Sequence, residues 1–321
     1  REKKKENIKL VTTPNNRASR GENYMSFVKN YAEEVLEGII TQKFVAEDMS
    51  IDQSVVTRML LAYKEDKQIV KAQENWSTPE EATASLKDFK NFRDRYFKTE
   101  TGIQYETADF HEKWINSIIK AIDEGGEQMI LSPPRHGKTD LLTHFAVWQI
   151  CKSPNIRIMW VGGNEDISKN AVGSVLDHLE NNEQLIQDFC GPGETFKPKS
   201  RTGKTWSSGQ FTVKSRTVTG IKSPTMVAVG KGGKILSRDC DLIIADDIED
   251  HSTTIQPSSR EQTKRWWTTT LSSRKEEHTS IVVIGSRQHP DDLYNSLIDN
   301  DEWKKIIESA HSLDIPIDSG P

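Results

Sequence analysis

The chain has 321 residues and a formal net charge of −5, with 34% hydrophobic and 28% charged residues. This composition is that of a globular protein of up to two domains, and no run approaches the roughly 18 apolar residues of a membrane span. Three widely spaced cysteines, Cys151, Cys190 and Cys240, form neither a zinc pattern nor a disulfide framework, which indicates a reducing compartment. The chain begins at Arg1 without a recognisable signal peptide, so we expect a fragment of a longer protein.

Positive charge is concentrated in one stretch of the chain. Between Thr195 and Arg238 there is no Asp or Glu, while lysines and arginines are frequent. These cations are Lys197, Lys199, Arg201, Lys204, Lys214, Arg216, Lys222, Lys231, Lys234 and Arg238. The stretch predicts a local basic surface on a mildly acidic protein, suited to the phosphates of DNA.

The first hundred residues have the apolar spacing of helices. This spacing predicts one helix from Tyr24 to Ile40 and a second helix after Ser50. A third helix is predicted to begin with Thr78 as its cap and to run through Tyr96. Residues 1–100 are therefore predicted to be an all-helical region that serves in packing or docking.

After residue 100 the pattern changes to alternating helices and strands. The predicted strands are Met129–Leu131, Arg157–Val161, Gln210–Val213, Thr225–Val229, Asp241–Ala245 and Ile281–Ile284. The predicted helices are His111–Asp123, Asp140–Cys151, Asp166–Leu179, Gln262–Leu271 and Pro290–Ile298. Such alternation predicts an α/β fold with an open, mostly parallel sheet flanked by helices, and ligands then bind outside the carboxyl ends of the strands.

A candidate phosphate-binding loop follows the first of these strands. Its residues are Ser132, Pro133, Pro134, Arg135, His136, Gly137, Lys138 and Thr139, with Asp140 next in the helix. The loop ends in the Gly-Lys-Thr of the pattern G-x-x-x-x-G-K-[ST], with Ser132 in place of the first glycine. In such a loop backbone N–H groups bind phosphate, Lys138 would reach the β- and γ-phosphates, and Thr139 would hold Mg²⁺. The alternative is a chance Gly-Lys-Thr in a surface loop.

The apolar strand 241–245 leads into two acidic residues, Asp246 and Asp247. We expect Asp246 to bind the magnesium shell through Thr139 and water, and Asp247 to orient the attacking water. Because the side chain of Asp is short, Glu249 is a rival for the second role. A solvated acidic turn is the alternative, but together with the phosphate loop this segment predicts a site for ATP and Mg²⁺.

Five further residues are candidates for the same site. Phe110 and His111, upstream of the loop, either contact adenine or belong to the core. Ser286, at the end of the last strand, is expected to sense the γ-phosphate. An arginine should complete the neutralisation of charge, either Arg135 on its own nucleotide or Arg238 on that of a neighbouring subunit.

Two weaker alternatives involve residues near the last strand. Arg274 and Arg287 are further candidates for the charge-neutralising arginine. His289, Asp291 and Asp292 form an alternative metal-binding cluster, although their spacing is not a strong ligand pattern.

Three segments, in this order, resemble the ATPase domain of tailed-bacteriophage large terminases, the DNA-packaging motors. They are SPPRHGKT at 132–139, SRDCDLIIADDIED at 237–250 and IVVIGSRQHPDDLY at 281–294. The resemblance lies in an arginine before Gly-Lys-Thr, in an acidic pair after an apolar strand, and in Ser286 where the family has Thr. It covers about residues 100–310.

The resemblance implies a P-loop NTPase fold of the ASCE type, with ATP and Mg²⁺ as ligands. It implies an ATPase domain over residues 101–312, and residues 313–321 would begin a linker to an absent nuclease domain, so that this chain should not cut DNA. The implied partners are double-stranded DNA, a portal protein, the small terminase subunit and other copies of the chain in a ring. The implied location is the host cytoplasm, transiently at the procapsid portal and not in the mature virion.

Two other functions compete with this interpretation. A helicase-like nucleic-acid translocase would need a second ATPase-like domain or a late QxxGRxxR motif, and the sequence has neither. A non-catalytic, nucleotide-dependent scaffold that docks on a portal would not need an intact set of Lys138, Thr139, Asp246 and Asp247.

Overall fold

The computed structural model describes most of the chain, namely residues 22–74, 76–99, 101–199, 204–218, 220–233, 235, 239–272, 275–276 and 278–309. By their packing these residues form two compact units. One unit contains the residues up to 78 together with 187–194, and the other contains 79–186 and the residues from 195 onward. The division falls within helix α10 (Glu183–Cys190).

The first unit is helical and has its own core. Its helices are α1 (Glu22–Asn30), α2 (Ala32–Leu36), α3 (Gln42–Asp48) and α4 (Gln53–Glu74). Its buried apolar residues are Phe27, Ala32, Val45, Ala46, Val56, Leu60 and Tyr63. Burial of these side chains stabilises helices that would be marginal in isolation.

The prediction of one helix from Tyr24 to Ile40 is wrong in its extent. The helix breaks at Tyr31, and the second part ends at Leu36, before Gly38 with a φ of +73°. Helix α3 was not predicted, although the hydroxyl of Thr41 caps it by accepting a 3.2 Å hydrogen bond from the N–H of Phe44.

The third predicted helix is two helices, α5 (Glu80–Ser85) and α6 (Phe89–Tyr96). Thr78 is not its cap, because Pro79 occupies the capping position without a side-chain hydrogen bond. Asp88 interrupts the helix and caps α6 by accepting a 2.8 Å hydrogen bond from the N–H of Asn91. Both helices belong to the second unit, and the domain boundary at residue 100 stays a prediction.

The second unit contains an eight-stranded sheet in the order β3-β4-β5-β2-β6-β7-β1-β8. The strands are β1 (Glu127–Leu131), β2 (Ile158–Gly162), β3 (Trp206–Ser207), β4 (Gln210–Phe211), β5 (Met226–Gly230), β6 (Leu242–Asp246), β7 (Ser280–Gly285) and β8 (Trp303–Ile307). All pairs are parallel except those of β4 with β3 and β5. One strand, β7, therefore separates β1 from β6.

Helices flank this sheet. They are α7 (Asp109–Asp123), α8 (Lys138–Lys152), α9 (Glu165–Asn181), α11 (His251–Thr254), α12 (Pro257–Trp266) and α13 (Leu293–Ile298), and a π-helical segment (Trp267–Leu271) continues α12. The central strands are buried along their whole length, as expected when both faces of a parallel sheet are covered. The predicted α/β fold with a mostly parallel, helix-flanked sheet is confirmed. No helix among the described residues is long and apolar enough to cross a membrane.

Candidate functional site

The phosphate-loop segment connects the end of β1 to the start of α8. Two of its residues have left-handed backbone conformations, Arg135 with a φ of +67° and Gly137 with a φ of +65°. Gly137 immediately precedes α8, whose first residue is Lys138. Left-handed residues before a helix turn successive N–H groups toward one point, which is the backbone arrangement of an anion-binding concavity.

The upstream candidates Phe110 and His111 pack beside this loop. Nε2 of His111 lies 2.8 Å from the carbonyl oxygen of His136, and its Nδ1 accepts a 3.3 Å hydrogen bond from the N–H of Ala108. Both ring nitrogens are therefore engaged, and burial lowers the pKa of His111, which favours the neutral ring. The ring of Phe110 is half-buried and lies 5.8 Å from that of His136. His111 thus supports the loop, and neither of its ring nitrogens is left to hydrogen-bond to an adenine base.

Lys138 is buried, with 5% of its surface exposed, and its ammonium group joins two strand ends. Its Nζ donates hydrogen bonds to the carbonyl oxygen of Pro133 at 3.1 Å and to Oγ of Ser286 at 3.0 Å. Oγ of Ser286 in turn donates to the carbonyl oxygen of Ser132 at 3.0 Å. Ser286 follows β7, so the predicted candidates Ser132, Lys138 and Ser286 lie together.

Thr139 and Asp246 are also in direct contact. Oγ1 of Thr139 donates a 2.8 Å hydrogen bond to Oδ2 of Asp246, whereas Oδ1 of Asp246 is buried without a protein partner. Burial, with a further contribution from the charge of Asp247, raises the pKa of Asp246 to about 7. A buried carboxylate oxygen without a partner is costly, and a bound cation would satisfy it.

Asp247 has an unusual backbone conformation, with a φ of +41°. Its Oδ1 accepts a 3.0 Å hydrogen bond from the N–H of Ser286, and its own N–H donates to the carbonyl oxygen of Ile284 at 3.0 Å. Burial raises the pKa of Asp247, while the charge of Lys138 lowers it. The end of β7 therefore holds both the backbone and the carboxylate of Asp247.

These groups surround a cavity of about 420 Å³. Its lining residues are Pro134, Arg135, Gly137, Lys138, Thr139, Asp140 and Asp247. Arg135 and Asp140 are exposed. The cavity is thus bounded by the loop, the first turn of α8 and the acidic end of β6.

Glu249, the predicted rival of Asp247, does not line this cavity. It is 1% exposed, and its Oε2 accepts a 2.8 Å hydrogen bond from the N–H of Leu293, the first residue of α13. Burial raises the pKa of Glu249, and the bond from Leu293 opposes that shift. Nothing in the sequence indicated this contact, because the two residues are 44 positions apart.

The alternative metal cluster at His289, Asp291 and Asp292 is wrong. Asp291 binds Lys264 at 2.5 Å and Arg260 at 3.2 Å. Asp292 caps α13 through a 3.0 Å hydrogen bond from the N–H of Asn295. Among the residues that the structure describes, no group of three or more His, Cys, Asp or Glu side chains could hold a metal ion.

The cations of the basic stretch between Thr195 and Arg238 differ in their surroundings. Lys197 binds Glu180 at 2.7 Å, and Arg216 donates to the carbonyl oxygen of Ser223 at 2.6 Å. The Nζ of Lys231 is buried without a hydrogen-bond partner. Lys204 and Lys222 are exposed.

Several predicted residues lie outside the described part of the chain. They are Arg201, Lys234, Arg238 and Arg274. Among the arginines that the structure describes near the site, Arg287 pairs with Asp292 at 3.3 Å and donates to the carbonyl oxygens of His289 and Pro290. That leaves Arg135 as the predicted arginine that lines the cavity.

No protein-family model matches the sequence, and no curated protein matches it. Among solved structures, the chain is similar to the HK97 bacteriophage large terminase, with a TM-score of 0.47 and 15% sequence identity. The match covers 67% of this chain and 40% of that chain, so this chain spans less than half of the length of the terminase. That structure is a large terminase, the family that the three sequence segments resemble.

Proposed function

We propose that this chain is the ATP-hydrolysing motor domain of a viral terminase large subunit, which moves double-stranded DNA into a procapsid. The observation that carries the proposal is a group of three hydrogen bonds beside one cavity. Lys138 binds Ser286, Thr139 binds Asp246, and Asp247 accepts from Ser286. Three neighbouring strands, β1, β7 and β6, thus bring a phosphate-type loop and two carboxylates to one place, as phosphoryl transfer requires.

The residues present fit Mg²⁺ and ATP. The left-handed residues Arg135 and Gly137 shape the loop, and the buried Oδ1 of Asp246 has no protein partner. Thr139 and Asp246 would hold magnesium, which neutralises charge on the β- and γ-phosphates when it is bound. Carboxylate and hydroxyl oxygens are the ligands that this hard cation prefers.

The remaining roles follow from the position of each side chain. Lys138 would exchange its bonds to Pro133 and Ser286 for bonds to the phosphates, because a carbonyl and a hydroxyl are weaker partners for an ammonium group than a phosphate anion. Asp247 would orient the attacking water and accept its proton. Burial raises the pKa of Asp247, which makes its carboxylate a stronger proton acceptor.

Phosphoryl transfer also needs a further positive group beside the phosphates. Arg135 lines the cavity and would supply that charge to its own nucleotide. Arg238 stays the alternative, in which a neighbouring copy of the chain completes the site in a ring. Phe110 remains a candidate for stacking on adenine, and Ser286 for sensing the γ-phosphate through its bond to Lys138.

The partners are part of the same proposal. Double-stranded DNA would bind through phosphate contacts, which carry no base information. A portal protein, a small terminase subunit and further copies of the chain would complete the packaging complex in the host cytoplasm.

A steady-state ATPase assay tests the proposal. We expect hydrolysis that requires Mg²⁺ and that increases when double-stranded DNA is added, with Lys138→Ala as the inactive control. Absence of hydrolysis with DNA and Mg²⁺ present, in a chain shown to be folded by circular dichroism, would favour the non-catalytic scaffold instead.

A further inference from the structure

Glu249 is a buried charged group that the proposed reaction does not use. Its carboxylate lies outside the cavity and accepts a 2.8 Å hydrogen bond from the N–H of Leu293. Its other oxygen, Oε1, is buried without a hydrogen-bond partner. Burying a carboxylate is costly unless hydrogen bonds or an opposite charge compensate it.

A second contact joins the same residue to α13. The backbone N–H of Glu249 lies 3.5 Å from the hydroxyl oxygen of Tyr294, and Tyr294 is fully buried. That hydroxyl also occupies the space beside Gly285, since a Cβ built on Gly285 would lie 2.4 Å from it. Tyr294 therefore packs between Gly285 and Glu249.

Asp247 needs such support because its backbone is held in a conformation that non-glycine residues rarely adopt. Conformations of this kind are strained and persist when the surroundings determine them. The N–H of Asp247 is bound to Ile284, and its carboxylate is bound by Ser286. Its carbonyl oxygen packs closely against Gly163, since a Cβ built on Gly163 would lie 3.2 Å from it. Glu249 lies two residues later and is itself bound by the N–H of Leu293.

Burial raises the pKa of Glu249, and the charges of Lys231 and Lys264 oppose that larger effect. Burial lowers the pKa of Lys231, and the charges of Glu249 and Asp250 oppose that shift. Among the described residues, however, its Nζ makes no hydrogen bond. The contact that can fix the position of Glu249 is therefore the bond from Leu293, which an amide oxygen could accept equally well.

We propose that Glu249 is a positioning residue, which holds the backbone of Asp247 by fastening the acidic segment to the first turn of α13. The inference rests on the proposed function, in which Asp247 orients the attacking water. Glu249 acts through this hydrogen bond and not as a proton acceptor.

Two substitutions separate the hydrogen bond from the charge. Glu249→Gln retains an oxygen that can accept the hydrogen bond from Leu293 but removes the negative charge. Glu249→Asp retains the charge, but its side chain is one methylene shorter, so its oxygen lies too far from the N–H of Leu293. Positioning predicts that kcat for ATP falls about 10- to 100-fold in the Asp variant at nearly unchanged KM, because small misplacement of a reacting group is costly. The Gln variant should stay within about twofold of the unsubstituted chain, because it retains the bond. The exposed Glu302→Gln is the matched control.

The opposite pattern, an inactive Gln variant and an active Asp variant, would make Glu249 a proton acceptor and overturn the inference. Equal activity of all variants would overturn it as well. A fall in activity that only follows a loss of folded protein would show a merely structural role, so kcat is compared at a temperature where circular dichroism shows each variant to be folded.

Hydrogen exchange keeps the test independent of ATP hydrolysis. The amides of Leu293 and Ser286 donate to Glu249 and Asp247 respectively, and both should exchange faster in the Asp variant but not in the Gln variant. If the unsubstituted chain hydrolyses no ATP, the proposed function fails and this exchange pattern alone decides the inference. Unchanged exchange at Ser286 in the Asp variant would overturn it.

Discussion

The hydroxyl of Thr139 donates a 2.8 Å hydrogen bond to Oδ2 of Asp246, although the two residues are 107 positions apart in the sequence. The bond joins the first turn of α8 to the carboxyl end of β6. It leaves Oδ1 of Asp246 buried without a partner. In the proposed function this pair receives a cation, and the hydroxyl already orients one oxygen of the carboxylate.

The first prediction concerns this pair. Asp246→Asn should raise the Mg²⁺ concentration needed for half-maximal ATP hydrolysis about 10- to 100-fold, because an outer-shell carboxylate that orients a metal ligand is worth that factor. Titration of the ATPase rate with MgCl₂ measures it. Asp140→Asn is the matched control, because Asp140 lines the same cavity. The carboxylate that accepts the hydrogen bond from Thr139 is that of Asp246. An unchanged magnesium midpoint in the Asp246 variant would remove Asp246 from the metal site.

The second prediction concerns Lys138. Lys138→Ala and Lys138→Met should each lower kcat at least about 10²–10³-fold, because an oriented positive donor beside the phosphates is lost. Met retains most of the buried side-chain volume, so its melting temperature should stay closer to that of the unsubstituted chain than that of Ala. ATPase kinetics and thermal unfolding give the two readings. Retained hydrolysis in the Met variant would show that the loop is not the catalytic phosphate site.

The third prediction concerns Asp247. Asn tolerates left-handed backbone and its Oδ1 can accept the bond from Ser286, so Asp247→Asn should leave the fold intact. ATP should bind with unchanged affinity while kcat falls about 10²–10⁴-fold, the usual range for loss of a general base. Equilibrium binding of a fluorescent ATP analogue, together with turnover, checks both parts. Turnover at the unsubstituted rate would exclude Asp247 as the group that activates water.

The close approach of Lys138, Thr139, Asp246 and Ser286 could be predicted from the sequence. Asp246 and Ser286 lie at the ends of apolar strands, and Lys138 and Thr139 close the loop that follows a third such strand. The carboxyl ends of parallel strands meet at one edge of the sheet. The strands themselves were recognisable because their apolar runs are continuous, as in the segment before Asp246. Local sequence was thus sufficient where the strand pattern alone decides the position of a side chain.

Other parts of the structure depend on contacts that no local pattern shows. Strand β8 (Trp303–Ile307) contains two lysines, and it forms because the edge of β1 is available to pair with it. Helix α13 starts at Leu293 and not at Pro290, because Asp292 caps it. The turn of α12 into a π-helix at Trp267 has no sequence signal that we recognise.

The fourth prediction concerns the buried His144 in the second unit. Nδ1 of His144 accepts a 3.2 Å hydrogen bond from Arg93, and its ring stacks on Phe97 with 3.9 Å between centroids. Burial first, then the charges of His178 and Arg93, lower the pKa of His144 from 6.5 to about 2. The unfolded chain therefore binds a proton below pH 6.5 that the folded chain does not bind, so stability falls as the pH drops through that value.

At pH 5 this residue should reduce the free energy of unfolding by about 2 kcal/mol relative to pH 7. His144→Asn retains an acceptor for Arg93 but cannot take up the proton, so its unfolding free energy should change less between the two pH values. Urea unfolding of both proteins at pH 5 and pH 7 measures the difference. The same pH dependence in both proteins would assign the acid sensitivity to other groups.

The fifth prediction concerns DNA. Lys204 and Lys222 are two of the exposed lysines of the basic stretch, and Lys197, also exposed, is paired with Glu180. Arg216 is bound to backbone carbonyls, and the Nζ of Lys231 is buried. The double variant Lys204→Glu with Lys222→Glu should therefore weaken the binding of double-stranded DNA of any sequence. It should also reduce the slope of log affinity against log salt by about 2, because two phosphate contacts are lost.

Fluorescence anisotropy with two unrelated duplexes, over a range of salt concentrations, measures affinity and slope together. The control is Lys87→Glu with Lys98→Glu, which changes the net charge equally at two exposed lysines outside the stretch. A loss of affinity that is equal in both double variants would reflect net charge alone, because long-range repulsion does not depend on position in detail. A loss confined to the control would move the DNA-binding surface to the segments on either side of α6, which contain Lys87 and Lys98. Only a larger loss in the Lys204 and Lys222 variant, with the same change for both duplexes, places the phosphate contacts on the basic stretch.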